Sequence, residues 1–453
     1  MLNRNELVNK YSELFWKFSF DDDCRFEYNN RIYNLSESKD LVMIIDESKQ
    51  HKDYMVAKIA NNILAVLEIQ QEKVNYKHTP VLMHIELSSF CDCECIMCAH
   101  CYEKNTKSKY LGKNTFDELE KYFPTCRIII INGYGEPFIH PEIERIISEF
   151  DKYGIKLLTT TNLQHLPISS LKNLNNVFQR INVSCDGATK KTYESIRRNA
   201  KFDVFKKNVS ILKQNCPNVQ LFMSVVSMRQ NILEAVELVL MAKQLGFEEI
   251  RFGRLGTNDF IENEIDDLIN YPNLAKYMFE CACQEGKKVG IRVVTPIIMK
   301  DSDWDSQKVE EEKRKLLQIV FFKDDSYYYE LEKKFKDLYG VALFEPHEYS
   351  IEGSISCQGI CHWIGFGMYI NVSGKVRPCS EIPYNRFQEK KEETIDFNYR
   401  ELTEFRKKFI SKKIPRACLD CAFIMSDEIG CLKVDIEEYK DYFEKKRGAS
   451  YDS

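Results

Sequence analysis

At 453 residues the chain is too long for one compact core, and 44% hydrophobic with 29% charged residues read as a globular protein of two to four domains. A net charge of -5 and a pI near 6.0 give no whole-molecule pull toward nucleic acid. No apolar run approaches the roughly 20 residues that span a bilayer, and the N-terminus "MLNRNELVNKYSELFWKFSF" lacks a signal peptide's apolar core, so a cytoplasmic protein with no membrane partner is expected.

Residues 1–80 are rich in Asn, Lys and Asp, with a predicted hairpin at "RFEYNNRIYNL" (25–35) and a helix near 54–70. They carry no chemical motif and read as a packing or docking extension, with a substrate-recognition module as the alternative. From 81 the pattern alternates between strands and helices. Short runs rich in Val and Ile predict buried strands at 81–87, 127–133, 156–162, 180–186, 220–227 and 249–255. Helical periods fall between them, at 140–154 and at 231–246, the latter ending on Gly246 as a C-cap. Six βα units predict an α/β fold, a partial (β/α)6 barrel of parallel strands over 81–300. A further helix (272–288) and strand (291–296) close this region. Residues 301–356, charged and aromatic, read as a helical bridge, and 357–453 as a small cysteine-rich tail domain.

Seventeen cysteines in a reducing compartment argue for metal ligation or thiol chemistry over disulfides, and they concentrate at 91–101 and 357–431. Cysteines 24, 126, 185, 216, 281 and 283 read as small buried hydrophobes.

The segment "CDCECIMCAHC" (91–101) puts five cysteines into eleven positions. Three frames compete. Cys95, Cys98 and Cys101 begin a ferredoxin run, but the fourth cysteine and its proline do not follow. A zinc site could pair any two with the distant Cys418-x2-Cys421. The third frame, Cys91-x3-Cys95-x2-Cys98, lies in the loop after the first strand. It wraps three thiolates around a [4Fe-4S] cube and leaves one iron open to the amine and carboxylate of an amino acid; Cys93 and Cys101 are then bystanders.

Later loops follow in order: "NGYGEPFIHPE" (132–142) after the second strand, "TTTN" (159–162) after the third, "VSCDGATKKTYESIRRNAKFD" (183–203) after the fourth and "SMRQN" (227–231) after the fifth. The third frame and these four segments together resemble the radical S-adenosylmethionine (SAM) superfamily. The resemblance implies a SAM-binding [4Fe-4S] cluster on Cys91, Cys95 and Cys98. It implies SAM contacts from Gly133, Gly135 and Glu136, from Asn162 along the ribose, from Ser184 to the ribose or the carboxylate, from Arg197 to the carboxylate, and from Asn231.

The tail carries Cys361, a hairpin "NVSGKVRP" turning at Gly374, then Cys379 and Cys418-x2-Cys421. Four thiolates would hold zinc equally well. The pattern resembles a SPASM/twitch extension, which implies one auxiliary [4Fe-4S] cluster on Cys361, Cys379, Cys418 and Cys421, with Cys357 and Cys431 as possible substitutes. The implied activity is that of an oxidoreductase: cleavage of SAM to a 5′-deoxyadenosyl radical, then dehydrogenation or another oxidation of a small polar substrate. A flavodoxin or ferredoxin would supply the electron. A maturase of a ribosomally made peptide is the alternative within the family, and a non-catalytic zinc-binding adaptor the alternative outside it. Arg251 and Arg254, ending the sixth strand, read as salt-bridge partners or as holders of a substrate anion. No general base stands out; His362 and Glu381 neighbour the second cluster in sequence only.

Overall fold

A computed structural model describes residues 25–98, 110–255, 267–296, 304–318, 361–379 and 395–411. The expected hairpin pairs β1 (Arg25–Tyr28) with β2 (Arg31–Asn34), antiparallel. Its two-residue turn places Asn29 at φ 46 and Asn30 at φ 60, the left-handed region that asparagine tolerates best among non-glycine residues. Helix α1 (Ser38–Gln50), which the sequence reading did not anticipate, packs on α2 (Tyr54–Gln70). From Ala57 to Ile69 every residue of α2 is buried. The side chain of Asn61 accepts the N–H of Thr79 at 2.9 Å and donates to its carbonyl at 3.0 Å, fixing this helix against the start of the barrel.

The central sheet contains the six expected strands: β3 (Leu82–Ile85), β4 (Ile128–Ile130), β5 (Lys156–Thr161), β6 (Phe178–Ser184), β7 (Gln220–Ser227) and β8 (Glu249–Arg254). They lie side by side in chain order and every neighbouring pair is parallel. At one edge β9 (Arg292–Val294) joins β8, also parallel. At the other, β10 (Gly367–Ile370) from the tail pairs parallel with β3, and β11 (Val376–Arg377) pairs antiparallel with β10. The β10–β11 turn has Gly374 at φ 80, and Asn371 Oδ1 accepts the N–H groups of Ser373 and Lys375. The molecule is thus an α/β fold on a mostly parallel sheet.

Connecting helices are α3 (Lys113–Leu119), α4 (Ile143–Lys152), α5 (Leu171–Val177), α6 (Lys190–Ile196), α7 (Phe202–Asn215), α8 (Ala235–Gln244) and α9 (Pro272–Val289). On α4, Ile143, Ile146, Ile147 and Phe150 form the buried stripe that the 3.6-residue period requires. Gly246 lies at φ 81 just beyond α8, as its C-cap reading expected. Strand residues obey the period of two. On β7, Leu221, Met223 and Val225 are buried in the helix-covered core, while Phe222, Ser224 and Val226 are half-buried on the opposite, inner face. Arg180, Asn182 and Ser184 occupy that inner face on β6.

In the bridge region α10 (Ser306–Gln318) is helical; residues 319–356 lie outside the described set. In the tail, α11 (His362–Phe366) precedes β10, and α12 (Arg400–Ile410) carries the fully buried Arg406. This guanidinium donates to the carbonyls of Val74 (3.2 Å), Ile364 (3.1 Å) and Phe397 (3.1 Å) and to Asn398 Oδ1 (2.9 Å), and it stacks 4.0 Å from the Tyr76 ring centroid. One side chain thus joins the segment before the barrel to the tail. No helix among the described residues is long and apolar enough to cross a membrane.

Candidate functional site

The loop that follows β3 holds the first cysteine cluster, and backbone pairing fixes its shape. Glu94 and Cys95 pair antiparallel with Arg198 and Arg197, the Ile96 N–H donates to Ile196 at 3.0 Å, and the Cys98 N–H closes a turn on Cys95 at 3.0 Å. Cys93 and Cys95 are buried; Cys91 and Cys98 are half-buried. Cys101 lies outside the described residues.

The glycine segment after β4 lies directly on this loop. Gly135 donates to the Ser88 carbonyl at 3.2 Å and Glu136 to that of Phe90 at 2.9 Å. A Cβ on Gly135 would come within 2.5 Å of both carbonyl oxygens, and one on Gly133 within 2.4 Å of Glu86 Cγ. The glycines are therefore required by packing against the β3 loop itself, a reason the sequence reading did not give. Glu86 is buried; it accepts the N–H of Tyr134 and, from the tail, the N–H of Val372, each at 3.0 Å.

Glu136 and Asn162 join the second and third loops. The Glu136 carboxylate accepts from Thr161 Oγ1 (2.7 Å), the Asn162 N–H (2.8 Å) and the Phe138 N–H (3.1 Å). Burial nevertheless pushes its pKa up to about 7, with these hydrogen bonds opposing. The Asn162 amide nitrogen faces the cysteines, 3.7 Å from Cys91 Sγ, 3.2 Å from Cys93 Sγ and 3.2 Å from Asp92 Oδ1. His165 Nε2 lies 2.9 Å from the other oxygen of Asp92.

The fourth and fifth loops close the far side. Arg197 is buried, bonds Asp186 at 2.7 Å and directs Nη1 at Cys95 Sγ, 3.7 Å away. Burial alone would lower the Arg197 pKa; Asp186 outweighs it and keeps the guanidinium charged. Burial pushes the Cys95 thiol up to about 12, against the pull of Arg197. The hydrogen bond from Cys93 lowers Cys91, while Cys93 is pushed up. Asn231 is buried, and its amide is taken up by backbone: Nδ2 donates to the Asp186 and Val226 carbonyls at 3.1 and 2.9 Å, and Oδ1 accepts from Met228 at 2.9 Å. Ser184 ends β6 on the inner face, level with Ser224.

The sequence-selected residues therefore form one connected group, Gly133–Glu136 to Asn162 to Cys91 on one side, Asn231 to Asp186 to Arg197 to Cys95 on the other. Two expected roles read differently. Arg197 is committed to Asp186, and Asn231 to the backbone of its own turn. Arg251 and Arg254 pair with Glu249 and Asp267, the structural option. One participant was missed, Glu86, although a single acid inside an apolar strand run is a signal; Cys93, the expected bystander, lies beside Cys91 and within reach of the Asn162 amide. The ligand atoms of Cys91, Asp92 and Cys93 come within 4.8 Å of one another. A single metal ion needs such convergence, whereas thiolates on a cubane cluster each take a separate iron. Three thiols on one loop, with amide and guanidinium N–H groups directed at two of them, form a donor set that fits an iron–sulfur cluster.

In the tail, Cys361 immediately precedes α11 and Cys379 follows β11; both are buried. Cys357, Cys418, Cys421, Cys431 and Glu381, and the side chain of His362, lie outside the described residues. Of the remaining cysteines, 126, 185 and 216 are buried, 281 and 283 half-buried, and Cys24 is outside the described set.

Residues 85–242 match the family model of the radical SAM superfamily, so the chain carries a radical SAM domain. Over 176 residues it is 26% identical to the AdoMet-dependent heme synthase of Methanosarcina barkeri, covering 37% of this chain and 49% of that protein. Over 95 residues it is 33% identical to the tungsten-containing aldehyde ferredoxin oxidoreductase cofactor-modifying protein of Pyrococcus furiosus, covering 20% of this chain and 26% of that one. The chain thus matches about half the length of the first relative and about a quarter of the second. Among solved structures, SuiB of Streptococcus suis bound to S-adenosylmethionine superposes with a TM-score of 0.50 at 12% identity, covering 90% of this chain and 93% of that one, a likeness of fold.

Proposed function

We propose that this protein is a radical SAM oxidoreductase acting on a small polar substrate, with Cys91, Cys95 and Cys98 holding the SAM-binding [4Fe-4S] cluster. One observation carries the reading: the cysteine loop, the glycine segment, Asn162 and Arg197 meet at the C-terminal ends of adjacent parallel strands, where α/β folds bind ligands. When bound, the cluster and SAM supply reductive cleavage to a 5′-deoxyadenosyl radical, which takes hydrogen from an unactivated carbon.

The chain supplies position and charge. Arg197, kept protonated by Asp186, sets a positive field beside Cys95 and favours its thiolate. Asn162 donates toward Cys91 and is itself held by Glu136. Gly135 lets the glycine segment lie against the cysteine loop, so that one backbone surface would serve both cluster and SAM. SAM would lie along Gly133, Gly135, Asn162 and Ser184, while Arg197 and Asn231 shape the pocket rather than bind in it. Asn231 does so by holding the turn after β7 against the Asp186 carbonyl.

We assign one auxiliary [4Fe-4S] cluster to Cys361, Cys379, Cys418 and Cys421, and the net reaction as an oxidation driven with electrons from a flavodoxin or ferredoxin. Residues 1–80 then act as a packing extension, 81–300 as the catalytic barrel and 357–453 as the auxiliary module.

The test is direct. Anaerobically purified protein should be brown and contain about eight irons per chain, four for each cubane. With SAM and a strong reductant it should release 5′-deoxyadenosine, and Cys91→Ala should abolish that release. Colourless protein containing zinc would establish the adaptor reading instead.

A further inference from the structure

The inner face of the sheet carries positive charge that the cluster and SAM do not use. Arg180 on β6 and Arg251 on β8 flank β7, and each guanidinium carbon lies 5.3 Å from the ring centroid of Phe222 on that middle strand. Strand register sets the depth. Ser184, Ser224 and Arg251 share one level, and Asn182 and Phe222 the level below. The two guanidinium groups thus sit over Phe222 about 7 Å, two strand residues, beneath the level of Ser184.

The charges on this face do not balance. Arg251 pairs with Glu249, and Glu249 is shared with Arg292 on β9, 3.3 Å away. The Arg180 side chain makes no hydrogen bond and no ion pair among the described residues, and its Nε is shielded from solvent without a partner. A structural cation–π stack accounts for one guanidinium on a phenyl face. It does not account for two like charges brought to the same ring when the nearby carboxylate, Glu249, is ion-paired to Arg251 and Arg292 and not to Arg180. Burial and then the repulsion of Arg251 lower the Arg180 pKa, and the negative charge of Glu249 offsets them only in part.

We infer that Arg180, with Arg251 and Phe222, forms an oxyanion site inside the barrel that takes a carboxylate or phosphate group of the substrate. Asn182 on the level of Phe222 provides a neutral polar neighbour, its amide 3.4 Å from Thr160 Oγ1. An anion held there by a fork-shaped guanidinium would orient the rest of the substrate upward, toward the strand ends. This assignment rests on the proposed function, which puts the reacting carbon at that end of the sheet. It narrows the substrate class to anionic small molecules.

Isothermal titration of the anaerobic full chain at low ionic strength, with succinate in one series and inorganic phosphate in another, tests it without any reductant. Saturable binding of one anion with one site per chain is expected, and Arg180→Gln should weaken it about tenfold or more. Arg180→Lys keeps the charge without the fork and should recover part of the affinity; it also serves as the folding control, checked by thermal melting. Succinate binding identifies a carboxylate site, phosphate binding a phosphate site. Failure of both anions to saturate, or unchanged affinity in Arg180→Gln, overturns the inference and leaves a structural stack. Because 5′-deoxyadenosine release is a separate assay, a chain that cleaves SAM yet binds neither anion refutes this site alone.

Discussion

Glu86 and Val372 are 286 positions apart, yet one carboxylate oxygen of Glu86 accepts the Val372 N–H at 3.0 Å. The other oxygen accepts the N–H of Tyr134 in the glycine segment, also at 3.0 Å. A single buried acid therefore ties the tail hairpin to the loop proposed to carry SAM. Glu86→Ala would leave two N–H groups without this acceptor, and a loss of about 3 kcal/mol in urea unfolding is expected. Amide hydrogen exchange should quicken at Tyr134 and at Val372 together. Faster exchange at Tyr134 alone would show that the carboxylate does not couple them.

Asn231 separates a turn-holding role from a SAM-binding one. Its amide makes three hydrogen bonds to backbone groups of Asp186, Val226 and Met228. Asn231→Ala should therefore cost about 2 kcal/mol of stability. It should change the affinity for SAM, measured by equilibrium dialysis, by less than about threefold, roughly 0.7 kcal/mol. A large loss of SAM affinity at unchanged stability would restore the role read from the sequence.

The cysteine frame makes an equally sharp contrast. Cys93 is more deeply buried than Cys91 and shares Asn162 with it. If the frame is right, Cys93→Ala retains the iron of the first cluster, about four atoms per chain, and Cys91→Ala loses it. Equal iron loss in both variants would show that Cys93 is a ligand.

The fold was legible because its signals are local. Runs such as "QLFMSVVS" fix strand identity by composition and spacing, and the β7 boundaries fell where expected, Gln220–Ser227. The connected site was legible for a related reason, since parallel βα units bring every strand-end loop to one end of the sheet. What escaped depends on contacts distant in sequence. Nothing local in "GFGMYI" says that it pairs with Leu82–Ile85, and nothing in Arg197 says that Asp186 rather than a ligand will claim it. The glycines show the intermediate case: their need was visible, but the atoms that crowd them belong to Glu86, Ser88 and Phe90.

Arg406 concentrates the link between the tail and the segment ahead of the barrel. It is fully buried with four oxygen acceptors from four residues, and burial lowers its pKa to about 10, still charged at neutral pH. Arg406→Ala removes the donors and leaves the carbonyls of Val74, Ile364 and Phe397 facing a cavity. A loss of about 4 kcal/mol is expected, near the upper range for single substitutions. Arg406→Lys should recover little, because one ammonium cannot reach all four acceptors. Near-normal stability of Arg406→Lys in chemical denaturation would contradict this geometry.

His84 should make the barrel sensitive to acid. It is buried beneath Tyr369, whose ring centroid lies 4.8 Å away, and its Nε2 bonds the Asn132 carbonyl at 2.7 Å. Burial lowers its pKa from 6.5 to about 4. Between those values the unfolded chain takes up a proton that the folded chain refuses, so stability is highest above pH 6.5 and falls as pH drops toward 4. At pH 5 this single group should cost about 2 kcal/mol relative to pH 7.5. His84→Gln keeps a donor for Asn132 and does not titrate, so its urea midpoint should fall less than that of the unsubstituted chain over the same interval. Parallel decline of the two midpoints would mean that His84 is protonated in the folded state as readily as in the unfolded one, and that the acid sensitivity resides in another group.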